Sequence, residues 1–312
     1  MPTKRKERKA TTTQIYVERL QRCLNYISGN LDQPISFDKL AKIACFSPFH
    51  FHRIFRGLTG ETVVDLIRRI RMEYAYYLLQ DQQKTVTAAT FETGYENVES
   101  FSRAFKKHFQ LKASAVKKLP ALLYKPKNSY AVRLQLNPLT LIFHPIIGVT
   151  NMKVRIEDIK AHPIAYIRHI GPYQEVGDTY RQLFGWARTN GAMEPMPHIY
   201  GFSWDDPNIV SASQLRFDAA ISLPKNWQRK PDQPIVTSTF PGGLWAITTY
   251  QGSYNKISHI FQELMGGWMP TSGYLPDSKR PCLEIYLNTP LTTAEPDLLT
   301  EICIPIKKIS KK

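Results

Sequence analysis

Residues 47–55 read SPFHFHRIF and residues 99–105 read ESFSRAF, and the two stretches repeat one pattern about 50 residues apart. In each copy the apolar residues recur at the spacing i, i+3, i+4, which places them along one side of an α-helix. This stripe consists of Phe51, Ile54 and Phe55 in the first copy and of Phe101, Ala104 and Phe105 in the second. The other side is mostly polar or cationic. The pattern therefore predicts two short helices, each with an apolar back and a hydrogen-bonding front.

The fronts of these helices carry the residues that we expect to contact DNA, because the major groove accepts a helix of this kind. They are Phe49, His50, His52, Arg53 and Arg56 in the first copy, and Glu99, Ser100, Ser102, Arg103, Lys106 and Lys107 in the second. An arginine can form two hydrogen bonds with guanine, Phe49 can contact a thymine methyl group, and Glu99 can accept from cytosine N4. Lys106 and Lys107 are expected on phosphates. Two alternatives stay open: a solvated helix face for any of these residues, and a core position for His50.

The net charge is concentrated on the segment that contains the paired helices. The 312-residue chain has a formal charge of +15. Residues 1–125 contain 22 Lys and Arg against 11 Asp and Glu, whereas residues 126–312 contain 19 against 15. A basic surface can simply keep a protein soluble, but its position here favours binding to the phosphates of double-stranded DNA. The apolar content of 43% argues against a disordered chain.

Composition also indicates the cellular compartment. The four cysteines are far apart and form no CxxC pair, which favours reduced thiols in the cytoplasm. The longest apolar candidate, residues 139–149, is interrupted by His144 and Pro145 and is shorter than the ~18 residues of a membrane span. The opening MPTKRKERKA is basic without an apolar core, so residues 1–13 are predicted to be a basic disordered arm rather than a secretion signal.

Helix signals surround both copies of the pattern. Ser47 is a capping residue and Pro48 suits the first helical position, while Gly60 can end the helix. Residues 61–80 then read as one continuous helix of ~30 Å, close to the ~34 Å between successive major-groove windows. Such a rigid helix would separate two recognition helices by about one turn of DNA.

The spacing of these features resembles the DNA-binding domain of AraC/XylS-type transcription regulators over residues 14–120. The resemblance depends on Leu40-Ala41, Phe46-Ser47, Phe51-x-Arg53-x-Phe55, Thr59-Gly60, Gly94-Tyr95 and Phe101-Ser102-Arg103-Ala104-Phe105-Lys106-Lys107. It implies that the exposed front of each recognition helix contacts bases. It further implies a monomer on DNA, activation rather than repression, and RNA polymerase as a partner. Residues 121–151 are predicted to be a linker.

The second half of the chain changes to alternating apolar and polar residues, which is typical of strands. It is also an internal repeat: His169–Tyr173 recurs as Tyr250–Tyr254 about 81 residues later, and Trp186 matches Trp268 at about 82. Each copy reads as strand, helix and strand pair. The sequence thus predicts a multidomain protein, an all-α double helix-turn-helix domain followed by a duplicated α+β domain over residues 152–308 with a cleft at its pseudo-twofold axis.

Glu284 is the most informative acidic residue of this half. It lies in the apolar run CLEIYL, residues 282–287, where an ionised carboxylate costs several kcal/mol unless it is paired or faces a cleft. Tyr286 lies two residues further on the same strand face. A carboxylate beside aromatic rings suits a small apolar or cationic molecule. The alternative is a glutamate on an edge strand that points to water.

Residues 152–308 resemble the GyrI-like small-molecule-binding domain. The matching segments are Gly171-Pro172-Tyr173, Leu215–Asp218, Gly242–Ala246, Pro281–Leu287 and Thr300–Ile302. In that family the acid of the E-x-Y strand faces the ligand, which implies this role for Glu284. The other predicted contacts of the effector are Tyr286, Tyr173, Phe202, Trp204, Trp245 and Trp268.

The prediction for the whole chain is a transcription regulator that a small-molecule effector controls, with no cofactor, no metal and no catalytic residue. Two alternatives concern the second half. Some GyrI-like domains resemble small hydrolases, in which Glu284 would act as a general base beside Tyr286. The other alternative is that the second half is a module that binds another protein. Against an enzyme, the sequence contains no GxSxG, HExxH, phosphate loop or CxxC pair.

Overall fold

The computed structural model describes residues 11–118, 130–147, 150–228 and 234–309. Its internal contacts divide the chain into two compact units, Met1–Gly148 and Val149–Lys312. Most of the predicted basic arm lies outside the described residues, and its last two residues, Thr12 and Thr13, already belong to a helix. Within the described ranges, no helix is both long enough and apolar enough to cross a membrane.

The described part of the first unit contains two helix-turn-helix pairs joined by a longer helix, as the repeat predicts. Its helices are α1 (Thr12–Ser28), α2 (Phe37–Ile43), α3 (Pro48–Thr59), α4 (Val63–Leu78), α5 (Val86–Glu92) and α6 (Val98–Phe109). The pairs are α2–α3 and α5–α6, and α3 and α6 are the recognition helices. Their apolar faces are fully buried at Phe51 and Phe55 on α3 and at Phe101 and Phe105 on α6.

Capping residues define where these helices begin. The Ser47 hydroxyl accepts the backbone N–H of His50 in front of α3, and the Asn97 side chain accepts that of Ser100 in front of α6 at 2.8 Å. Thr62 caps α4 by accepting the N–H of Asp65. The cap places the first residue of α4 at Val63, and the helix ends at Leu78, so that α4 has 16 residues and a length of ~24 Å, shorter than the ~30 Å predicted.

A β-hairpin occupies part of the segment predicted to be a linker. Strands β1 (Val132–Leu136) and β2 (Leu139–Phe143) pair antiparallel. Their apolar residues share one face of the hairpin because they alternate with polar or exposed ones. This face consists of Val132, Leu134, Leu136, Leu139, Leu141 and Phe143. The Gln21 side chain donates to the Leu141 carbonyl at 3.1 Å, so the hairpin belongs to the helical unit.

The second unit is a nine-stranded antiparallel sheet with helices on one face. Its strands are β3 (Arg155–Ile159), β4 (Pro163–Ile170), β5 (Ile199–Ser203), β6 (Arg216–Ser222), β7 (Val236–Thr239), β8 (Gly243–Gln251), β9 (Tyr274–Pro276), β10 (Cys282–Tyr286) and β11 (Leu299–Lys308). The order is β3-β8-β11-β10-β5-β6-β4-β7, with β9 beside β11. Helix α7 (Val176–Thr189) packs on β4 and β6, and α8 (Ile257–Gln262) contacts β11.

The strand order confirms the predicted duplication. In the first copy β4, α7, β5 and β6 follow one another along the chain, and in the second copy β8, α8, β10 and β11 correspond to them. The two copies meet where β5 pairs with β10 at the centre of the sheet. The pseudo-twofold axis therefore passes between these two strands.

Candidate functional site

The exposed front predicted for α3 is wrong for His52 and Arg53, while His50 takes the core position that the sequence left open for it. His50, His52 and Arg53 are only 2%, 4% and 3% exposed. Neighbouring side chains explain part of this burial: His50 Nδ1 lies 2.8 Å from the Ser47 hydroxyl, and the Arg53 guanidinium lies 4.1 Å from the centre of the Phe49 ring. In this conformation the three side chains are too buried to reach a base. Base contact by them stays a prediction that requires them to be uncovered.

The front of α6 is open, as its sequence predicts. Glu99 and Arg103 are 78% and 71% exposed in their side chains and form an ion pair of 2.5 Å one helical turn apart. Lys106 and Lys107 are exposed in the last turn. Ser100 and Ser102 are partly exposed, as is Phe49 on α3, and Arg56 on α3 is exposed. The cationic and hydrogen-bonding groups of α6 are therefore accessible to a DNA groove.

In the second unit, Glu284 forms a buried hydrogen-bonded site on β10. Glu284 is only 6% exposed. The Ser203 hydroxyl donates to Glu284 Oε1 at 2.9 Å, and the Tyr286 hydroxyl donates to Oε2 at 2.6 Å. Two donors at these distances stabilise the ionised carboxylate against the cost of burial.

Three tyrosine rings surround this carboxylate. The Tyr286 ring contacts those of Tyr180 and Tyr254 edge-on, with centroids 5.9 and 5.3 Å apart. The Tyr180 hydroxyl donates to the Tyr200 carbonyl at 2.7 Å, which fixes the ring. Burial together with the Glu284 charge raises the pKa of Tyr254 to about 12, and the same causes raise the pKa of Tyr286. Both hydroxyls stay protonated at neutral pH, and that of Tyr286 donates to Glu284.

Gly201 provides the space in which Tyr286 reaches the carboxylate. It pairs directly with Glu284 across β5 and β10. A Cβ atom at Gly201 would overlap the Phe217 ring and would lie 2.9 Å from the Tyr286 hydroxyl. Any larger residue here would push Tyr286 or Phe217 out of position.

Three predicted effector contacts lie on the opposite face of the sheet. Because Glu284 pairs with Gly201 while Phe202 pairs with Leu283, strand alternation points Phe202 away from Glu284. Phe202 and Trp245 instead belong to the apolar cluster on that other face. The Trp204 indole N–H donates to the Asp218 carboxylate. Asp218 on β6 pairs with Phe202 on β5, so it lies on the same face as Phe202. The prediction that these three residues share a site with Glu284 is wrong.

The remaining predicted contacts differ in their surroundings. The Tyr173 ring contacts that of Phe217 at a tilt, with centroids 5.5 Å apart, and the Tyr173 hydroxyl donates to the Asp205 carbonyl at 2.7 Å. Trp268 ends the π-helical turn Glu263–Trp268 that continues α8. Contact between either residue and an effector stays a prediction.

The sequence prediction omits four residues of the Glu284 site: Gly201, Ser203, Tyr180 and Tyr254. Gly201 and Ser203 are detectable only from the pairing register of β5 with β10. Among the described residues, no group of three or more His, Cys, Asp or Glu side chains could hold a metal ion.

Comparisons with known families agree with both units. The model of the GyrI-like small molecule binding domain matches residues 152–307, which is half of the chain. A helix-turn-helix domain model matches residues 40–118.

Individual relatives cover one or both units. The DNA gyrase inhibitor of Edwardsiella piscicida is 29% identical over 163 residues, covering 50% of this chain and 99% of the relative. The right origin-binding protein of Escherichia coli (strain K12) is 24% identical over 260 residues, covering 79% of this chain and 83% of the relative. The transcriptional regulator Rob of Salmonella typhimurium is 23% identical over 259 residues, with the same coverage. The chain therefore belongs to the DNA-binding transcription regulators that combine an AraC-type helix-turn-helix domain with a C-terminal GyrI-like small-molecule-binding domain.

Proposed function

We propose that this regulator reads a specific operator through α6, with α3 contributing once its front is uncovered. The open front of α6 is the observation that carries the proposal. An exposed ion pair such as Glu99–Arg103 contributes only ~0–1 kcal/mol, so DNA can separate the two side chains at little cost. Arg103 then binds guanine, Glu99 and Ser100 contact neighbouring base edges, and Lys106 and Lys107 bind phosphates. Arg56 on α3 and Ser102 on α6 are proposed to contact the DNA beside them.

Two substitutions on α6 test this reading. The operator is first selected from random duplex DNA with the full chain. Arg103→Ala should then weaken binding to the selected site by about 1–3 kcal/mol, or roughly 5- to 150-fold, and should change random DNA much less. Lys107→Ala should weaken both by the same factor. Equal losses of Arg103→Ala on the two DNAs would contradict base reading by this residue.

The second part of the proposal is that a small apolar or cationic effector binds at Glu284 and controls DNA binding. The buried carboxylate with its tyrosine rings supports this, because aromatic faces and a negative charge together attract cations. Control requires that the effector bind the DNA-competent and incompetent states with different affinity. We further propose activation as a monomer through contact with RNA polymerase, in the cytoplasm.

Glu284→Gln tests the effector site and separates it from the hydrolase alternative. The substitution keeps the shape of the side chain and removes its charge. A cationic aromatic dye that binds the full chain should bind the variant at least tenfold more weakly, whereas a neutral dye of the same shape should change less. Stoichiometric recovery of the unchanged dye is expected. Its consumption by the wild type but not by Glu284→Gln would instead favour a hydrolase.

A second candidate function is inhibition of a protein target by the second unit. The observation that favours it is the 29% identity to a DNA gyrase inhibitor over nearly its whole length. DNA supercoiling by purified gyrase in the presence of the full chain tests it. The Lys107→Ala variant serves as the control, because it binds DNA more weakly. If the chain inhibits by covering the DNA, this variant should inhibit less than the wild type. If the chain inhibits gyrase directly, the two should inhibit equally.

A further inference from the structure

Arg71 on α4 joins the two helix-turn-helix pairs through one guanidinium group. Its Nη2 donates to the carbonyl of Gln33, in the loop between α1 and α2, at 2.6 Å. Its Nη1 donates to the carbonyl of Gly94, in the turn between α5 and α6, at 3.3 Å. The loop that leads into the first pair and the turn inside the second pair are therefore bonded to the same side chain.

The backbone of the two pairs also comes into close contact at Gly94. This residue has φ +71°, and a Cβ atom there would lie 2.6 Å from the Leu31 carbonyl oxygen and 2.6 Å from Arg71 Nη2. Leu31 lies in the loop between α1 and α2, and its burial holds that carbonyl in place. Only glycine permits this conformation and this approach without strain.

The guanidinium group suits this bridging position. Arginine presents several N–H donors in a rigid plane, whereas lysine has a single compact ammonium group on a flexible chain. Arg71 is partly buried, and this burial lowers the pKa of its guanidinium group. Its neighbour Arg68 differs, since it is exposed and forms its ion pair with Asp65 one turn earlier on α4.

We propose that Arg71 is a positioning residue that fixes the angle between the two helix-turn-helix pairs and thereby the spacing of two half-sites on DNA. The inference depends on the proposed reading of DNA by both recognition helices. One inserted base pair rotates a half-site by about 35° around the duplex and moves it by ~3.4 Å. A rigidly oriented pair tolerates no such change, whereas a pair hinged on α4 alone can follow it.

Selection from random duplex DNA provides the test. The full-length wild type should enrich two half-site motifs at a single spacing. Arg71→Ala should enrich the same two motifs at several spacings. On the selected site, one inserted base pair between the motifs should weaken wild-type binding by at least roughly 30-fold, as the loss of one or two base contacts would. In Arg71→Ala this ratio should fall by about tenfold.

Arg68→Ala is the matched control, because it removes an arginine of the same helix whose hydrogen bond goes to Asp65 on α4 rather than to either loop, and it should keep the wild-type ratio. Arg71→Lys tests the geometry, since it retains the charge but should also relax the spacing. An unchanged spacing ratio in Arg71→Ala would overturn the proposal. So would equal weakening on selected and random DNA, or loss of the folded helical unit in both Arg71 variants. Enrichment of one motif alone by the wild type would overturn the two-helix reading as well.

Discussion

Replacing Arg69 by alanine should destabilise the helical unit more than replacing any exposed residue of α4 by alanine. The Arg69 side chain is 5% exposed and binds two carboxylates. Its Nε and Nη2 donate to Glu61 at 2.8 and 2.7 Å, and its Nη1 donates to Glu73 at 3.0 Å. Burial alone would lower the pKa of Arg69, but these two carboxylates raise it. The arginine is therefore charged whenever the domain is folded.

The expected magnitude follows from what the substitution leaves behind. Glu61 and Glu73 are 13% and 3% exposed in their side chains, and both would lose their shared cation. Removing one partner of a buried ion pair costs about 3–5 kcal/mol, because the other charge stays buried. We therefore expect a loss of about 4 kcal/mol for Arg69→Ala. Arg68→Ala, which breaks an exposed pair with Asp65, should cost at most ~1 kcal/mol.

Arg69 also holds the hairpin, which gives the prediction a second readout. Its Nη2 donates to the Val132 carbonyl at 2.9 Å, and its guanidinium lies 3.9 Å from the centre of the Tyr130 ring. In Arg69→Ala, amide hydrogens of residues 130–143 should exchange much faster than in the wild type, while those of β5 and β10 should not change. Exchange followed by mass spectrometry measures this effect.

Urea unfolding of the full chain, followed by far-UV circular dichroism, measures the stability of the helical unit. A loss below about 1 kcal/mol for Arg69→Ala would refute the argument that the substitution leaves Glu61 and Glu73 buried without a cation. A triple variant in which Arg69→Met is combined with Glu61→Gln and Glu73→Gln should recover most of the loss, because it leaves no buried charge. Failure to recover would attribute the loss to packing instead.

Two further predictions concern the second unit. Gly201→Ala should cost about 1–3 kcal/mol by overpacking, and distinctly less in a Phe217→Leu background, where the ring that the new Cβ would overlap is missing; additive losses in urea unfolding would contradict this coupling. Burial would raise the pKa of Asp205, but the hydrogen bonds and charge of Arg216 outweigh it and lower the pKa. The carboxylate therefore contributes stability above its unfolded pKa of about 3.9, which is lost as the pH falls through the lower folded value. Asp205→Asn should accordingly lose less stability than the wild type between pH 5 and pH 2, and an unchanged pH dependence would refute this assignment.

Local signals were sufficient to predict the helical unit because its elements are defined by neighbours in sequence. The cap at Ser47 and the apolar stripes of α3 and α6 act within one or two turns. The burial of His52 and Arg53 could not be predicted in this way, and that of His50 stayed one of two alternatives, since helical periodicity gives the face of a residue but not what packs on that face.

The hairpin at residues 132–143 is a different kind of error, because its signal was present. Six apolar residues alternate with polar or exposed ones on both sides of Asn137-Pro138. The prolines scattered around this segment favoured a linker instead. An alternating run on both sides of a turn dipeptide predicts a hairpin even where prolines surround it.

The internal repeat explains why the Glu284 site lies at the centre of the sheet. Gly201 pairs with Ala219 and Glu284 pairs with Ile302, and both members of the second pair lie 83 positions after those of the first. Gly201 and Glu284 are thus equivalent positions in the two copies, and they also pair with each other. Equivalent residues can meet only on a twofold axis, where two identical large side chains would compete for one space. A glycine in one copy leaves that space to the carboxylate and the Tyr286 hydroxyl of the other. The asymmetry of the two copies at this one pair, rather than the aromatic content of the unit, is what makes a charged site possible at the centre of an apolar sheet.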